Sequence, residues 1–117
     1  MMADRFEDER GVIQDLFGKV DAVTEIFTRS GAVRGNHYHQ HTIQWTYIIS
    51  GKMIFARMED DGVHQVTKGP GDMITEPPGI PHAWKALEDT TVLVFTKGPR
   101  SGEEYESDTI RVEKPLL

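Results

Sequence analysis

The chain has 117 residues, 38% of them hydrophobic, which is enough for one domain around a modest core. A net charge of −6 argues against a nucleic-acid backbone or an anionic membrane as the main partner. With no cysteine, disulfides, thiolate catalysis and zinc–sulfur sites are excluded.

In chain order, Asp8 to Gly11 is a polar turn leading into a short apolar-rich segment, VIQDLF. Residues 22–28, AVTEIFT, alternate as a half-buried strand does. From Gly31 to Gly51 the sequence predicts two short strands around a turn, with His37, His39 and His41 two residues apart on the first. Residues 53–58 and 63–67 form a further strand pair about the Glu59–Gly62 turn. A brief strand at 73–75 precedes Pro77, Pro78, Gly79 and Pro81, which forbid regular structure. Residues 82–86 and 91–97 are two more strands, and the tail predicts a polar loop followed by a final strand at 109–112. No segment sustains a helical period, so the fold class is all-β, a sandwich or barrel. No apolar run approaches membrane-spanning length and the start has no signal-like apolar stretch, so a cytoplasmic location is expected.

Gly31, His37, His39, position 44 and Gly51 stand at the offsets of the first motif of the cupin superfamily, with Gln44 where that motif has Glu. Gly71, Pro77, Gly79 and His82 match the second motif, with Ala86 at its Asn position. Each motif alone is weak; the two in order make the resemblance strong. It implies a single cupin domain over residues 1–117, a jelly-roll barrel of the double-stranded β-helix type, with the stretches 31–51 and 71–86 as hairpins facing each other across the cavity. It further implies His37, His39, Gln44 and His82 as ligands of a divalent transition metal, zinc, iron, nickel or manganese, since imidazole sets do not dictate the metal. Gln44 is the departure: its neutral amide is a weaker ligand than a carboxylate, and Gln44→Glu is expected to tighten binding. His41 is then a candidate substitute ligand, in the pocket or on its rim.

The run Arg34-Gly35-Asn36-His37-Tyr38-His39, preceded by Asp8-Glu9-Arg10-Gly11, is similar to the opening of cupins from nucleotide-sugar pathways, the sugar epimerases and ketoisomerases. That resemblance implies His37 as the base that removes a proton α to a sugar ketone, and Arg10 and Arg34 as partners of the substrate's diphosphate. Trp84 shares parity with His82 and either lines the cavity or is plain core. His64 is expected at the surface, and Tyr105 either folds over the barrel mouth or caps an edge.

Three functions compete on these residues. One is a metal-dependent enzyme acting on a small molecule, a sugar or nucleotide-sugar derivative. Another is a metal-independent epimerase or isomerase with His37 as general base. The third is a non-catalytic ligand-binding or sensor cupin. Open strand edges at 12–28 and 109–112 predict a homodimer paired across a two-fold axis.

Overall fold

The computed structural model describes residues 5–99 and 102–117. Eleven strands and one helix follow in the order β1 (Arg5–Asp8), β2 (Gly11–Gln14), β3 (Ala22–Thr28), β4 (Val33–His39), β5 (Ile43–Ser50), β6 (Met53–Glu59), β7 (Gly62–Lys68), β8 (Met73–Glu76), β9 (His82–Ala86), β10 (Thr90–Lys97), α1 (Gly102–Asp108) and β11 (Thr109–Arg111). Two antiparallel sheets face each other, a four-stranded one ordered β3-β10-β5-β8 and a five-stranded one ordered β11-β4-β9-β6-β7; β1 and β2 form a separate hairpin. This is the all-β barrel expected from the alternating pattern and turn spacing. Among the described residues no helix is long and apolar enough to cross a membrane.

Two expectations are corrected. The stretches 31–51 and 71–86 are not hairpins. Each changes sheet at its middle, so β4 lies beside β9 in one sheet and β5 beside β8 in the other. Both changes occur where the ladder cannot continue, at the Gln40–Thr42 turn and at the Pro77–Pro81 segment, whose prolines lack the amide a ladder needs. The polar loop expected before the last strand is the helix α1, with Glu103 and Glu104 in its first turn, where acidic side chains favour the helix dipole.

Alternation decides what lies between the sheets. Ile48, Val92, Val94 and Ile74 of one sheet meet Met53, Phe55, Trp84 and Ala86 of the other to form the main core. Each fully buried aliphatic side chain there contributes about 1.5–3 kcal/mol relative to exposure. Ala56 and Ala83 point to the opposite face of their sheet, where Leu116 covers them. The Asn36 side chain holds that tail in place, its Oδ1 accepting from the Leu116 amide at 2.7 Å and the Leu117 amide at 3.2 Å. Gly51 closes the turn between β5 and β6 at φ 95°, and a Cβ there would lie 2.5 Å from the Asp89 carbonyl oxygen.

Candidate metal centre

The histidines converge because of one irregularity in β4. Gly35 and Asn36 both take positive φ, 92° and 58°, and the register with β9 shifts there, from Gly35 opposite Ala83 to His37 opposite His82. Glycine and asparagine are the residues that enter this region at least cost. The bulge lets β4 lie tightly on β9, since a Cβ on Gly35 would come within 2.9 Å of the His82 carbonyl oxygen. It also resets parity. Arg34, paired with Trp84, and His37, paired with His82, both face the cavity, although strict alternation puts them on opposite faces.

His37, His39 and His82 bring one nitrogen each to within 4.8 Å of one another, with His39 and His82 buried and His37 half-buried. Their ring centroids are 4.8, 5.0 and 5.6 Å apart. Three imidazoles so gathered are a donor set that fits a divalent transition metal. His82 Nδ1 donates to the Ile80 carbonyl at 3.1 Å, which turns Nε2 away from the backbone. The tail holds His39, with Thr109 Oγ1 3.3 Å from its Nδ1 and Asp108 Oδ2 3.8 Å away. Asp108 also fixes the turn after His39, accepting from the His41 amide at 2.7 Å and the Thr42 hydroxyl at 2.5 Å. Burial opposes the charge on Asp108, but these two hydrogen bonds and the nearby His39 and His41 outweigh it and hold its pKa below the ordinary 3.8.

A cavity of about 190 Å³ opens beside the cluster, lined in part by Arg34, His37, Gln44, Glu76, His82 and Trp84. Glu76 carries no motif offset and was not a candidate from the sequence. It is 5% exposed, its Oε1 accepts from Thr46 Oγ1 at 2.8 Å, and its Oε2 lies 3.1 Å from His82 Nε2. A larger groove, about 420 Å³, lies along β6, β7 and β8 and contains His64 but none of the three clustered histidines.

The family model for the cupin domain matches residues 26–96, which include every motif residue and all three clustered histidines. The chain is a cupin. This cupin is 31% identical over 91 residues to an oxalate decarboxylase of Arthroderma benhamiae, covering 74% of this chain and 21% of the relative. It is 31% identical over 101 residues to an acireductone dioxygenase of Bacillus pumilus, covering 83% of this chain and 57% of the relative. The chain thus spans about a fifth of the one and just over half of the other. Its fold matches the sugar 3,4-ketoisomerase QdtA of Thermoanaerobacterium thermosaccharolyticum, solved with TDP, at a TM-score of 0.77 and 16% identity over 96% of this chain and 85% of that one. It matches the dTDP-4-dehydrorhamnose 3,5-epimerase of Sulfolobus tokodaii at a TM-score of 0.71 and 20% identity, over 97% and 75% of the two chains.

The remaining candidates of this cupin are dispersed. Gln44 lines the cavity on β5, and Trp84 lines it on β9 while packing into the core. Arg34 sits at the rim, its guanidinium donating to Thr28 Oγ1 at 2.7 Å and to the Phe27 carbonyl at 3.3 Å. Arg10 is not brought to the site: it lies in the β1–β2 turn, bound to Asp8 at 2.7 Å, because a two-residue turn ties its side chain to the nearer carboxylate. His41 is exposed in the turn after β4, and His64 is exposed and paired with Asp61 at 2.6 Å. The Tyr105 side chain lies outside the described residues.

Proposed function

We propose that this cupin holds a divalent transition metal through His37, His39 and His82 and acts there on a small oxygenated molecule, a sugar or nucleotide-sugar derivative. The observation that carries the reading is the convergence of three imidazole nitrogens within 4.8 Å, from a cluster of which His37 and His82 line the cavity. Bound metal would supply Lewis acidity for a carbonyl or hydroxyl of the ligand. The protein's own groups have separate parts. His37, the least buried of the three, meets the ligand from the cavity side; Trp84 offers a flat apolar wall; Arg34 at the rim offers a guanidinium to an anionic group. The sugar class is supported by the fold shared with a ketoisomerase solved with TDP and with a dTDP-sugar epimerase.

Titration of the chelator-treated protein with Zn(II) or Ni(II) tests this. One site per chain is expected, and His39→Ala should abolish it while leaving the melting transition cooperative. Failure of the untreated and the resupplied protein to hold any of zinc, iron, nickel or manganese sinks the metal reading.

A second reading has its own observation: His37 borders two cavities, the one above and another of about 310 Å³ shared with Arg34 and Arg111. There His37 would act as general base on a keto-sugar without metal. Solvent proton exchange into keto-sugar nucleotides that survives His39→Ala would favour it; exchange lost with His39→Ala favours the metal enzyme.

A further inference from the structure

Three neutral imidazoles leave the charge of a dication uncompensated, and the amide of Gln44 does not offset it. A buried ion without compensation is costly, so the cavity's carboxylate becomes decisive. Glu76 is held in a single orientation by the Thr46 hydroxyl on Oε1, with Oε2 3.1 Å from His82 Nε2. The Ile80 carbonyl on the other edge of His82 can only accept, so Nδ1 carries the ring hydrogen. His82 Nε2 therefore faces Glu76 Oε2 directly, at a spacing suited to two ligands of one metal ion. Gln44 and Glu76 are direct partners across β5 and β8, so their side chains stand on the same face of the sheet. Their Cα atoms are separated by about 5 Å, a distance that the longer reach of either side chain covers.

Resting on the metal-binding reading above, we propose that Glu76, not Gln44, supplies the carboxylate ligand of this site. The negative charge is delivered from the neighbouring strand, with Thr46 orienting it as an outer-shell donor.

The test is Co(II) affinity, measured by competition with a chromophoric chelator, with the visible Co(II) spectrum as a second readout. Glu76→Gln should weaken Co(II) binding roughly tenfold or more and alter the spectrum. Gln44→Glu alone should not tighten binding, because it sets two buried carboxylates side by side on one face. The exchanged pair Gln44→Glu/Glu76→Gln should recover most of the loss. Wild-type affinity and an unchanged spectrum in Glu76→Gln would overturn the proposal and leave the three-histidine site standing. A wild-type protein that binds no Co(II) would instead overturn the metal-binding reading itself. Should the variants not fold, glutamate-labelled wild type decides: a side-chain carboxylate ¹³C resonance should move on adding one equivalent of Zn(II), and none moving contradicts the proposal.

Discussion

At the residue scale, Asp108 does for the histidines what a hinge pin does for a door. It is 3% exposed and receives hydrogen bonds from the His41 amide and the Thr42 hydroxyl, so it fixes the turn that ends β4 just past His39. Hydrogen bonds to a buried carboxylate contribute about 1.5–3 kcal/mol each, and their loss leaves donors unsatisfied. Asp108→Ala is therefore expected to lower the urea-unfolding free energy by about 2–4 kcal/mol and to weaken metal binding through His39. Its folded pKa lies below the ordinary 3.8, so the stability it adds is fully present above that value and is lost as pH falls through the lowered one. Acid unfolding below about pH 4 should accordingly be less steep in Asp108→Asn than in wild type. None of this is visible in the sequence, where Asp108 ends an acidic polar run far from the histidines. Glu76 was hidden for a related reason. It reads as the residue before a proline, and only the pairing of β5 with β8 sets it opposite Gln44.

At the scale of elements, the bulge in β4 is the feature on which the site depends. Gly35→Ala would put a Cβ at φ 92° within 2.9 Å of the His82 carbonyl oxygen and 3.0 Å of the Ala83 Cα. Both neighbours are backbone and cannot yield. The substitution should cost more than about 1–3 kcal/mol and, by parting β4 from β9, weaken metal binding beyond the loss in stability. Thermal melting and a Zn(II) titration on the same sample check both effects. The strands themselves were legible, because alternation, Gly and Pro turns and the two motifs all bear on local chain direction. Nine of the eleven strands among the described residues coincide closely with strands read from the chain, while the β1–β2 hairpin was read only as a polar turn and an apolar-rich segment; the pairing did not follow. His37, His39 and His82 could be grouped from the motifs, yet the sheet change at residues 40–42 and 77–81 depends on contacts between distant segments. The same holds for Arg34. Simple alternation from His37 sets it outside, and the Gly35-Asn36 pair is the local signal that turns it in.

At the scale of the whole molecule, apolar side chains stay uncovered on β3 and on the β1–β2 hairpin. Val23 and Phe27 project outward from β3, which pairs on one side only, with exposures of 57% and 50%. In the separate hairpin Phe6 and Ile13 are 58% and 67% exposed. Open strand edges and clustered apolar side chains are features that self-association covers. We expect a homodimer through β3 and the hairpin, and Phe27→Glu to shift it to monomer; sedimentation showing a wild-type monomer at micromolar concentration would contradict this.

The central claim is that three imidazoles of one chain hold one metal ion. X-ray absorption at the zinc edge, on protein given one equivalent of Zn(II) and desalted, tests it most directly. The account predicts retained zinc with nitrogen or oxygen neighbours at about 2.0–2.2 Å and outer-shell scattering from three imidazoles, and no retained zinc in His39→Ala. Zinc lost on desalting, or retained with no imidazole signature, would contradict it.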